Sequence, residues 1–156
     1  MAVTNEQVKA VLDRDEPDYE EAAAQLGPEA LPLLQRFVAG GDPNLAAKAA
    51  YLAGRIGDPE AAPILELAAG SADPGIRAAA ASGAQHIGMA AESVLLTLLD
   101  DDDPAVRKTA LRATPPQPSE DLVAKLRVLR DVEPEPMVRE MAAEAFDNVS
   151  GGGASP

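Results

Sequence analysis

Cysteine is absent from the 156 residues, so neither a disulfide framework nor thiol chemistry is open to this chain. Tryptophan is absent too, and the aromatics are Tyr19, Phe37, Tyr51 and Phe146 alone. A core of stacked rings is thereby excluded, and little remains with which to hold a nucleic-acid base. Basic residues are scarce: 13 Lys and Arg face 26 Asp and Glu, a net charge of -13. A field of that sign repels phosphate backbones and anionic lipid surfaces. Nucleic acid and membranes are therefore not expected as partners, and a protein with a basic or mixed surface is. No stretch approaches the roughly 18 apolar residues of a membrane span. The opening "MAVTNEQVKAVLDRDEP" lacks the basic start and apolar run of a signal peptide, so a cytoplasmic protein is expected.

What is abundant is alanine, 32 residues of it, the best helix former. It is also arranged. "LAAKAAYLAGRIGDPEAAPILELAAGSADPGIRAAAASGAQHIG", residues 45–88, says nearly the same thing twice. Asp42-Pro43, Asp73-Pro74, Asp103-Pro104 and Glu135-Pro136 recur at about 30-residue intervals, a period that implies stacked helical units. Glu16-Pro17 reads as an earlier, shortened copy. Asp suits a helix N-cap and Pro the first turn, so each pair predicts a helix start.

Aligned on these pairs, the chain forms columns at helical spacing. Two residues after each Pro stand Tyr19, Leu45, Ile76, Val106 and Val138. Four further on stand Ala23, Ala49, Ala80, Ala110 and Ala142, small enough for a neighbouring helix to approach closely. Three beyond come Leu26, Leu52, Gly83, Ala113 and Ala145, with Gly57 and Gly88 expected as left-handed helix caps. A second apolar helix follows in each unit, turning inward Leu31/Leu34/Val38, Ile64/Leu65/Ala68, Val94/Leu95/Leu98 and Leu122/Val123/Leu126/Leu129. Thr4 and Gln7 stand at capping-box spacing, opening a helix whose Val8, Val11 and Leu12 cover the first edge. The expected fold is an all-α solenoid of about four antiparallel helix pairs with capping helices. It would occupy residues 1–149 as a single domain, with residues 150–156 as a disordered tail.

"DPGIRAAAASGAQHIG" and "DPNLAAKAAYLAGRIGDPEAAPILELA" resemble HEAT repeats, in particular the short type of phycobilisome-lyase-like proteins. Arg77, Arg107 and Arg139 fall on that family's Arg position, from which Ala46 and Glu20 depart. The resemblance implies a binding surface and does not name a partner. It leaves two functional readings. One is a non-catalytic protein–protein interaction scaffold or adaptor whose concave face, lined by the second helices, holds a partner. The other is an accessory lyase or ligand-handling protein resembling bilin lyases.

Catalytic equipment is thin. His86 is the single histidine, read as a solvated side chain near a helix end, with no motif to supply a nucleophile. One histidine cannot form the His-Glu pairs of di-iron HEAT-like enzymes, and no metal or cofactor is expected. Asp100 to Asp103 read as a solvated turn or a weak docking site for a basic partner, not as a calcium loop, which needs alternating ligands and a Gly turn. "ATPPQPSED", residues 113–121, breaks the pattern with Pro115, Pro116 and Pro118, either as a surface insertion or as a projecting recognition loop. Arg107, Lys108, Arg112, Lys125, Arg127 and Arg130 lie near it. By elimination from the apolar columns, the partner-binding candidates are Glu60, Glu66, Ser93, Thr97 and Lys125.

Overall fold

The protein is described by a computed structural model over residues 2–151. Ten α-helices are present among the described residues: α1 (Asn5–Leu12), α2 (Tyr19–Leu26), α3 (Leu31–Val38), α4 (Pro43–Ile56), α5 (Ala62–Ala69), α6 (Pro74–Ala84), α7 (Glu92–Leu98), α8 (Pro104–Arg112), α9 (Glu120–Val132) and α10 (Pro136–Ser150). No strand accompanies them. In chain order first helices (α2, α4, α6, α8) alternate with second helices (α3, α5, α7, α9), with α1 and α10 at the two ends. Each second helix packs on the first helix that follows it: α3 on α4, α5 on α6, α7 on α8 and α9 on α10. The helix α10 runs through Ser150, one residue past the expected end of the domain. The rest of the expected tail, residues 152–156, lies outside the described residues.

The helix starts follow the expected chemistry. Asp42 and Asp73 each accept from two backbone N–H groups of the following turn, and Asp103 accepts from that of Ala105. Thr4 and Gln7 form the reciprocal capping box. Two pairs depart. Glu16-Pro17 opens nothing: α2 begins at Tyr19, and Asp18 caps it by accepting from the Glu21 amide at 2.9 Å. Glu135 precedes α10 without a side-chain cap bond, its own amide donating instead to Glu133. The glycine expectation holds at one site of two. Gly57 closes α4 at φ 78°. Gly88 has φ 69°, but α6 has already ended at Ala84, and Gly88 opens a short 3-10 turn.

Stacking forms two layers. The first helices α2, α4, α6, α8 and α10 pack successively against one another, and α1, α3, α5, α7 and α9 do the same beside them. Burial follows the columns: Ala49, Ala80, Ala110 and Ala142 are wholly buried, as are Leu34, Leu65, Leu122 and Leu126. Val123 and Ala23, placed in the same columns, are half-buried. The closest approach, however, lies one turn beyond the alanine column. A Cβ on Gly54 would stand 2.3 Å from the Gly83 Cα, so α4 and α6 touch backbone to backbone there. Burying leucine and alanine against such contacts is what holds the stack, at roughly 25 cal/mol per Å² of apolar surface removed from water.

Candidate functional site

Partner recognition on a stacked-helix surface needs side chains that the stack itself does not consume. The charged residues divide sharply on this test. Arg77 of α6 donates from Nη1 to the carbonyls of Ser71 and Ala72, and from Nε and Nη2 to Asp101 at 2.7 and 3.0 Å. Arg107 of α8 repeats the arrangement one unit later. Its Nη1 donates to the carbonyls of Asp101 and Asp102, and its Nε and Nη2 donate to Glu133 at 3.0 and 2.6 Å. Each arginine therefore ties its own turn to the next one. The Glu133 side chain is 2% exposed, which makes this a buried pair. Burial alone would push the Asp101 carboxyl up. The Arg77 hydrogen bond, the Asp103 amide and the two guanidinium charges outweigh it and hold that carboxyl below its usual range.

The four-aspartate run is a turn that also braces the stack: Asp100 and Asp102 remain exposed, while Asp101 and Asp103 are half-buried. Asp100 accepts from Lys125 Nζ at 2.6 Å, Asp101 holds Arg77, and Asp103 caps α8. The basic residues near the proline-rich break are largely spent as well. Arg127 and Arg130 lie over the Phe146 ring, 5.6 and 4.7 Å from its centroid. The break itself does not project. Ser119 caps α9, while its amide and hydroxyl both donate to Glu92 Oε1, a carboxylate 5% exposed. Only Pro116 and Gln117 of residues 113–119 are exposed.

His86 is only partly solvated. It sits half-buried at the edge of an aromatic row in which Tyr19 meets Tyr51 at 4.7 Å and Tyr51 meets His86 at 6.1 Å, both edge to face. Burial, followed by the Arg55 charge, lowers its pKa from the ordinary histidine value. No carboxylate or nucleophile pairs with it among the described residues.

Three of the five expected partner-binding residues come together. Glu66 of α5 and Ser93 and Thr97 of α7 line a cleft of about 280 Å³, floored by Ala69, Gly70 and Val94. The spacing explains it: residues 66, 69 and 70 share one face of α5, and 93 and 97 one face of α7. Thr97 spends its hydroxyl proton on the Ser93 carbonyl at 3.0 Å. Neither the Glu66 carboxylate nor the Ser93 hydroxyl is hydrogen-bonded among the described residues, so the cleft offers a carboxylate and a hydroxyl over an apolar floor. Glu60 is exposed but stands on the Pro59–Ala61 turn, outside the cleft. Lys125 is engaged by Asp100. Glu66, Ser93 and Thr97 thus share one cleft, and a separate hollow of about 300 Å³ lies at Asp100, Asp102, Leu129, Val132 and Glu133.

A larger hollow of about 370 Å³ lies between the proline-rich break and α10, lined by Leu111, Arg112, Thr114, Pro115 and Val149 among others. Of its lining residues only Ala145 stands in the sequence columns, where it reads as an inward position.

A family model for HEAT repeats matches residues 8–84 and 63–147. The chain belongs to the HEAT-repeat family. In HEAT-repeat terms the arginine column at Arg77, Arg107 and Arg139 is the repeat's own staple, and the cleft between α5 and α7 lies on its second-helix layer. No curated protein matches the chain.

Proposed function

We propose that this HEAT-repeat chain is a non-catalytic interaction scaffold that holds a protein partner at the cleft between α5 and α7. The observation that carries the reading is the unpaired Glu66 carboxylate beside Ser93 in this cleft, whereas Asp100, Asp101 and Glu133 are engaged by lysine or arginine. A lysine or arginine of the partner fits such a site, its stem on Ala69 and Val94 and its charge on Glu66. The overall charge of -13 would draw a basic partner in from solution and speed the encounter. No helix among the described residues is long and apolar enough to cross a membrane, which accords with a partner met in water.

The test uses baits that differ by one residue. Proteins captured from native cells by the wild-type chain should be lost from Glu66→Lys and retained by Glu60→Lys, because Glu60 stands outside the cleft. Capture should also fall as salt rises through the range where the screening length drops below about 8 Å. Capture lost equally with both variants would reject the cleft. A purified protein that carries a visible chromophore, or a turnover that needs His86, would reject the scaffold.

A further inference from the structure

The arginine staple has an open end. Arg139 of α10 adopts the same grip on its own turn, its Nη1 donating to the Glu133 carbonyl at 3.0 Å, six residues back as in Arg77 and Arg107. In those two residues Nε and Nη2 are then satisfied by a carboxylate 24 or 26 residues further along. For Arg139 they meet no carboxylate among the described residues, and the side chain is exposed.

The missing carboxylate has a fixed address in the repeat. Asp101 lies two residues before the cap Asp103, and Glu133 two before Glu135. The same address in the first unit is two before Asp18, the observed cap of α2, and it is occupied by Glu16. Glu16-Pro17-Asp18 matches Glu133-Pro134-Glu135 in chemical type at all three positions. Glu16 is exposed and pairs with no cation among the described residues. Among the described residues the helix before it, α1, carries no arginine. The chain thus holds an acceptor without a donor at one end and a donor without an acceptor at the other.

We infer that this chain stacks head to tail with a second copy of itself, Arg139 of one copy closing its staple on Glu16 of the next. The helices agree with the residues. Among the described residues α10 is a first helix with no second helix after it, and α1 a second helix with no first helix before it. Set end to end they complete a unit across the junction. Charge agrees as well: residues 13–21 hold six carboxylates against Arg14 alone, facing the exposed guanidinium of Arg139. The two surfaces differ, so the contact is heterologous and propagates instead of closing as a two-fold dimer. This goes beyond the cleft reading and is independent of it.

The absence of native cysteine makes the test direct. Arg139→Cys and Glu16→Cys, oxidised together at moderate salt to screen the like net charges, should give a mixed disulfide dimer. Either variant oxidised alone should give little, because its partner position on the other copy carries no thiol. Sedimentation gives a second reading. The weight-average mass of the wild-type chain should rise with concentration and that of Arg139→Glu should not, while equal mixing of Arg139→Glu with Glu16→Arg restores the rise. Both positions are exposed, and an unchanged helical circular dichroism spectrum confirms the fold of each variant. Homodimers equal in yield to the mixed species, or a wild-type chain that stays monomeric into the millimolar range, would overturn the inference.

Discussion

At the scale of single residues, a glycine pair and one further position carry disproportionate weight. Gly54 and Gly83 let α4 and α6 meet at the backbone. A methyl group on Gly54 would meet the Gly83 Cα, carbonyl carbon and oxygen at 2.3–2.5 Å, atoms that cannot turn aside. On Gly83 it would meet the Leu65 Cδ2 at 3.1 Å, which can rotate, and the Ala50 carbonyl at 3.2 Å. Gly54→Ala should therefore cost roughly 1–3 kcal/mol, the range for overpacking, and Gly83→Ala less. Urea midpoints at unchanged slope would rank them. The further position is His86. Its pKa in the fold is lowered, by burial first and by Arg55 second, so the unfolded chain takes up this proton before the folded chain does. Stability on this account is complete above the ordinary histidine value of about 6.5 and falls as pH drops through it. The wild-type urea midpoint should decline between about pH 7.5 and about pH 5.5, and His86→Gln should flatten that decline. An identical slope in the variant would assign the effect elsewhere.

Between elements, the arginine staple decides what holds neighbouring units in register. Arg107 and Glu133 are 11% and 2% exposed, whereas Lys9 and Asp13 on α1 are each about half exposed. Removing Arg107 leaves a buried carboxylate without its cation, so Arg107→Met should cost about 3–5 kcal/mol. Lys9→Met removes a solvated pair and should cost less than about 1 kcal/mol. Thermal melting of the two variants measures the contrast, and similar losses would mean that the staple contributes only packing. This element scale is also where the sequence was half legible. Helix starts at Asp42, Asp73 and Asp103, the alanine column and the arginine column can all be read from residues within one turn of each other. The carboxylates that the arginines use cannot, because the pairing spans 24 or 26 residues and the acids look like an ordinary charged turn. The fold needed only local periodicity. Whether a carboxylate is spent or available depends on which turn lies across from it, and so Glu66, Ser93 and Thr97 line one cleft while Lys125 is held by Asp100.

Across the whole molecule, each unit touches only its neighbours, so stability is distributed along the stack as a chain of nearest-neighbour terms. Those terms are unequal. In the middle, α4 contributes six buried residues and meets α6 at the Gly54–Gly83 contact, and α6 contributes five. Towards the far end, the two arginine pairs and the Glu92–Ser119 bonds tie α6 through α10. The N-terminal unit has neither device. Glu20 stands where the arginine would be, and α2 buries a single residue, Ala22. The unit is attached by the packing of α2 and α3 on α4, and the end of α1 is tied to α4 by Lys48, whose ammonium donates to the carbonyls of Leu12 and Arg14. Local opening should follow this gradient, since a segment with few buried contacts unfolds at a lower free energy than the core. Amide hydrogen exchange should be fastest in α2, slowest in α4 and α6, and intermediate in α9. Lys48→Met should raise exchange in α1 and α2 while leaving α8 and α9 unchanged, which is the signature of a one-dimensional stack. Uniform acceleration along all ten helices would instead indicate a single cooperative core, and the nearest-neighbour account would fall.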